Sequence, residues 1–113
     1  MTKGKSINLK GKNGQRDAAK QWEKITGIKA KNGAQSGVKG GMDIESDINA
    51  RLEVKRCETF YVYKAMDQAD EDCSKNEVPV VMHRANYRPW VVCIKLKDIP
   101  KFVKAYNDAK LSE

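Results

Sequence analysis

The sequence predicts one mixed α/β domain built around a single sheet, and three observations carry that reading. The chain has 113 residues, the size of one small domain. Its apolar periodicity switches repeatedly, giving the order helix, strands, helix, two strands, helix. Its composition, 40% hydrophobic and 33% charged, allows one modest core and is too well patterned for a disordered chain. Eight glycines and three prolines exclude collagen-like and low-complexity classes. No internal repeat divides the chain.

Residues 1–13 are polar, basic and Gly-containing, and read as a flexible arm ahead of a domain over 14–113. Residues 14–26 read as a helix, because Ala18, Trp22 and Ile25 recur at spacings of four and three, with Ala19 beside them. Gly27 is its expected stop. Five glycines from Gly27 to Gly41 mark a loop, with a short strand near Ile28–Lys31. Residues 43–48 alternate weakly, Asn49 and Ala50 suit a turn, and Arg51–Cys57 alternates more strongly as a strand. Val62, Ala65, Met66, Ala69 and Cys73 form the apolar face of a second helix over 60–75. Phe60, Tyr61 and Tyr63 at its start are expected to pack on the sheet. Val78–His83 and Trp90–Leu96 read as two strands joined by the turn-forming stretch Arg84–Pro89. Asp98 is the expected cap of a last helix with Pro100 in its first turn, and Phe102, Val103, Tyr106 and Ala109 make its stripe. Trp22 and Trp90 are expected in the core, and His83 in a structural or DNA-contacting place.

The net charge of +7 is uneven. Residues 1–40 hold ten Lys or Arg against two acids, and residues 41–113 hold twelve against thirteen. A basic segment of this kind points to a polyanion, usually nucleic acid. It carries too few large apolar residues for a membrane anchor, and no apolar run approaches a membrane span. No apolar stretch follows the basic N-terminus, so a secretory signal is not expected. Three widely spaced cysteines, Cys57, Cys73 and Cys93, suit neither a disulfide framework nor a zinc knuckle. They read as buried free thiols in a reducing compartment, the cytoplasm.

On the strand at 51–57, Glu53 and Lys55 are two apart and project from the same face, with Leu52 and Val54 on the other. Asp43 lies ten residues upstream, a separation that a hairpin closes to bring it beside Glu53. Glu45 and Asp47 share its strand parity and stand as alternative partners. Two carboxylates and a lysine suit phosphodiester hydrolysis, since Mg²⁺ needs only one or two protein carboxylates and completes its shell with water and phosphate. An ammonium beside them can orient water or stabilise the transition state. The same Glu-x-Lys pattern is also ordinary cross-strand ion-pair material. A nucleic-acid-binding module whose acids are structural is therefore the reading to set against an enzyme.

Asp43, nine residues, then Glu53-Val54-Lys55 resembles the PD-(D/E)XK nuclease superfamily, and more narrowly the small Holliday-junction-resolvase-like nucleases of phages and archaea. Gly14-Gln15-Arg16-Asp17 resembles the opening of that family's first helix. Gln35-Ser36-Gly37 resembles its Ser-Gly loop, and Glu53-Val54-Lys55-Arg56 its central strand. Gln68-Ala69 resembles its Gln-Ala pair. Pro79–Arg84 followed by Trp90-Val91-Val92 resembles its closing hairpin. The likeness implies a restriction-endonuclease-like single domain, a central mixed sheet flanked by helices. It implies a Mg²⁺-dependent endonuclease, with Mn²⁺ as a substitute, that resolves four-way DNA junctions as a homodimer; a nickase or end-processing nuclease is the alternative on the same scaffold. Asp43 and Glu53 would hold the metal and Lys55 would act on the nucleophilic water. Gln68 would support the site, and Asp17 would act directly or through water. Ser36, Lys10, Lys12, Arg16, Lys39, Arg56 and Arg84 would contact DNA.

Overall fold

A computed structural model describes residues 3–33 and 43–112, with side chains from Gly14 onward. It is a small α/β domain with a five-stranded mixed sheet and three helices. The elements are α1 (Lys3–Thr26), β1 (Ala30–Asn32), β2 (Ile44–Ser46), β3 (Ala50–Arg56), α2 (Val62–Asp72), β4 (Val78–Arg84), β5 (Val91–Cys93) and α3 (Ile99–Leu111). The sheet runs β1-β2-β3-β4-β5, antiparallel throughout except for the parallel pair β3–β4. Parallel neighbours need a long crossover, and α2 supplies it.

Alternation along β3 and β4 sorts the two faces of the sheet. Ala50 and Leu52 of β3 and Val78, Val80 and Met82 of β4 are buried under α1 and α3, with Ala18, Ala19, Trp22, Ala105 and Ala109 opposite them. Val81 and Cys93 face the other way, onto Ala65, Met66 and Ala69 of α2. Trp22 meets Phe102 edge to face, with ring centroids 6.5 Å apart. Ile25, on the same expected stripe as Trp22, is 76% exposed, so the buried stripe ends at Trp22.

α1 starts at Lys3, where the sequence reads as an arm. Once the packed segment is helical, each further residue adds a hydrogen bond without a new nucleation step. Gly27 ends the helix as expected, with φ 77° and its N–H donating to the Glu23 carbonyl. Asp98 precedes α3, but its side chain caps nothing; a 3₁₀ turn at Leu96–Asp98 leads into the helix instead. Tyr61 and Tyr63 also depart from expectation, standing exposed while Phe60 alone packs inward. The three cysteines are free and half-buried. No helix among the described residues is long and apolar enough to cross a membrane.

Gly14 sets how closely α1 approaches the sheet. A Cβ there would stand 2.9 Å from Arg56 Cβ, inside van der Waals contact. Gly14→Ala is therefore expected to lever α1 away from β3 and destabilise the fold by about 1–3 kcal/mol, as overpacking does. Urea denaturation checks this: an unchanged midpoint would mean that the helix yields freely.

Candidate active site

The register of β2 on β3 decides which acids meet. Ile44 pairs with Leu52, so the next step of the antiparallel ladder sets Asp43 across from Glu53. Asp43 lies just outside β2, where the ladder ends, and its Oδ2 takes over a backbone acceptor's place, receiving the Val54 N–H at 2.8 Å. Its Oδ1 receives Gln15 Nε2 at 3.0 Å. These two bonds hold the carboxylate at the fork between β2 and β3.

Glu53 is buried, with its side chain on the face that α2 covers. Arg51, two residues earlier and so on the same face, places Nε 3.4 Å from Glu53 Oε1. Burial pushes the Glu53 carboxyl up from its ordinary range to about 7. The neighbouring Asp43 charge and hydrogen bond add to the rise, and Arg51 opposes it. Lys55, next along this face, donates from Nζ to Gln68 Oε1 on α2 at 3.1 Å. Both open on a groove of about 150 Å³, lined as well by Phe60, Tyr61 and Lys64. Asp43, Glu53, Lys55 and Gln68, four of the expected site residues, are thus arranged along one stretch of the β3 face.

Glu45 and Asp47 are not at this point. Glu45 lies directly across β1 from Lys31 and pairs with it at 3.7 Å, while Asp47 falls beyond the strand and is exposed. Asp17, expected to act at the site, is turned elsewhere. Its Oδ2 accepts from Trp90 Nε1 at 2.7 Å and from an Arg84 guanidinium nitrogen at 3.2 Å. The reason is helical geometry: residues two apart lie about 200° around the axis, so Gln15 and Asp17 cannot both face Asp43. Gln15 is the helix residue that reaches the Asp43 carboxylate, and Asp17 ties α1 to the β4–β5 hairpin.

Two site residues were missed in the sequence, and each had a signal. Arg51 shares strand parity with Glu53 and Lys55. Gln15 stands inside the Gly14–Asp17 motif, two positions from the acid that drew attention. His83 is structural: its ring stacks on Phe60 at 4.1 Å, and Nε2 lies 2.9 Å from the Cys57 carbonyl oxygen. Among the expected DNA contacts, Arg16 is exposed. Arg56 is engaged within the fold, donating to the Arg84 carbonyl and to Asn86 Oδ1. Arg84 donates to the Arg88 carbonyl as well as to Asp17. Ser36 and Lys39 lie outside the described residues, as do the side chains of Lys10 and Lys12.

The donor set at the fork is two carboxylates, all oxygen. It suits Mg²⁺ or Mn²⁺, which take hard oxygen ligands, better than zinc, which favours nitrogen and sulfur. A cation would offset the repulsion that each carboxylate exerts on the other. Among the described residues no group of three or more His, Cys, Asp or Glu is placed to hold a metal, so a cation here would rest on two protein carboxylates. No family model, curated protein or solved structure matches the chain.

Proposed function

We propose that this chain is a Mg²⁺-dependent DNA endonuclease with a restriction-endonuclease-like fold, acting on branched DNA as a four-way-junction resolvase. The observation that carries the reading is Asp43 set against Glu53 at the β2–β3 fork, with the Lys55 amine next along the same strand face. A mixed sheet flanked by helices agrees with it. So does the strongly basic first third of the chain, which suits a polyanionic substrate.

Asp43 and Glu53 are the residues that would hold the ion. Held by these two carboxylates, Mg²⁺ would supply a water of lowered pKa and positive charge to offset that of a phosphate. Gln15 and the Val54 amide fix the orientation of Asp43, and Arg51 does so for Glu53. Gln68 steers Lys55 Nζ by accepting a hydrogen bond from one of its three N–H groups, leaving the other two for a phosphate oxygen or the attacking water. Lys64 adds positive charge to the adjoining groove, which suits a neighbouring phosphate. Two symmetric cuts need two such sites, so the reading includes a homodimer.

The test is incubation of the purified chain with an end-labelled four-way junction, with and without Mg²⁺. Paired nicks near the branch that appear only with Mg²⁺ are expected. Cleavage of flap, nicked and linear substrates at the same rate would indicate an end-processing or general nuclease instead. Salt-sensitive binding with no cut in any metal would leave a nucleic-acid-binding module, in which the Arg51–Glu53 pair is structural.

A further inference from the structure

We propose that Tyr87, at the tip of the β4–β5 hairpin, stacks on a nucleobase exposed at a DNA branch and so lets the protein distinguish a junction from a continuous duplex. This deepens the nuclease reading and rests on it.

Tyr87 is the one non-glycine among the described residues with a positive φ, 61°. Turn chemistry favours Gly or Asn in that region, and a bulky side chain there is an outlier. Packing gives no reason for the tyrosine either, since it is 98% exposed. An aromatic ring is thus held in water on a strained backbone, and the surroundings keep it there. Arg84 Nε donates to the Arg88 carbonyl at 2.7 Å, closing the turn from one side to the other. The Asn86 N–H donates to Glu58 Oε2 at 2.6 Å, and Arg56 donates to Asn86 Oδ1 at 2.8 Å. Asp17 anchors Arg84 from below. The residues just before and after Tyr87 are fixed while its ring is free to meet a partner.

The chemistry of the tip selects the partner. Arg84 and Arg88 flank the turn and Arg56 bonds to Asn86 within it, against two acids, Asp17 and Glu58, that pair with Arg84 and Arg56. An exposed aromatic ring on a turn with an excess of arginine over acid suits a base flanked by phosphates, and such stacking is tolerant of sequence. Within a duplex each base face is already covered; at a branch the terminal pairs offer theirs. The reach also fits. Glu53 pairs with Val81, and Tyr87 is six residues further on, at most about 20 Å along an extended chain. That spans about six base pairs at roughly 3.4 Å each.

The experiment uses the full chain in EDTA, where a metal-dependent cut cannot occur. The probes are a four-way junction carrying 2-aminopurine at the branch and a linear duplex of matched sequence. The wild type should bind the junction more tightly and change its fluorescence. Tyr87→Ala should lose about tenfold in junction affinity and the fluorescence change, with duplex affinity within twofold. Tyr87→Phe should retain both properties. Tyr87→Gly, which suits the backbone, should lose both, separating stacking from turn geometry. Equal binding and fluorescence for Tyr87→Ala and wild type would overturn the stacking contact alone, as would an equal loss on both DNAs. A wild type that binds neither DNA would remove the nuclease reading itself. Altered self-association of Tyr87→Ala, with unchanged DNA binding, would assign the ring to a contact between copies and overturn the proposal.

Discussion

Glu53→Ala is expected to lower Mg²⁺-dependent junction cleavage by roughly a thousandfold, the scale at which loss of a preorganised charged group acts on a transition state. Junction affinity should change little, because Glu53 is buried and phosphate contacts come from exposed cations. The alanine variant also removes one partner of Arg51 inside the fold, which is destabilising in its own right. Glu53→Gln separates the two effects. It keeps the size of the side chain and a carbonyl oxygen for Arg51, but carries no negative charge for a cation. A folded Gln variant, checked by circular dichroism, should be as inactive as the alanine one. Cleavage by Glu53→Gln at a tenth or more of the wild-type rate would remove Glu53 from the chemistry.

The second large effect is on the pH dependence of stability in the metal-free protein. Glu53 has its pKa raised from 4.5 to about 7. Between those values the folded chain holds a proton that the unfolded chain has released, so stability falls as pH rises. The contribution is fully lost above about pH 7, and the difference is roughly 3 kcal/mol at 1.36 kcal/mol per unit. Urea unfolding in EDTA from pH 4.5 to 8 should show this decline superimposed on the other groups. Glu53→Gln should flatten it. Asp43→Asn should shift the window downward only in part, because burial is the first cause and the Asp43 charge comes after it. A Glu53→Gln profile parallel to the wild type would show that folding leaves the Glu53 titration unshifted.

Much of this was legible along β3. A strand has an exact period of two, so parity alone put Glu53 and Lys55 on one face, and the same rule covered Arg51. The hairpin separation put Asp43 across from Glu53, and the register bears that out. The helix was less legible, because a short motif does not show which of its polar residues faces the sheet; Gln15 does, and Asp17 does not. Tyr61 and Tyr63 are apolar enough to suggest a core, yet α2 buries Ala65, Met66 and Ala69 instead. Small residues let that helix lie close to Val81, and the larger rings fall on its outer side. The conformation of Tyr87 left no trace in composition or periodicity, since it follows from hydrogen bonds with partners far along the chain.

The carboxylate–amine centre is woven from one short length of polypeptide. The Asp43–Val54 bond spans 11 residues and the Lys55–Gln68 bond 13, whereas the Asp17–Trp90 bond spans 73. Loop-closure entropy grows with the logarithm of length, so the 73-residue closure is dearer than the 11-residue one by about 1.7 kcal/mol. The candidate site is thus gathered by short loops, whereas the seam between the first helix and the last hairpin closes a much longer one.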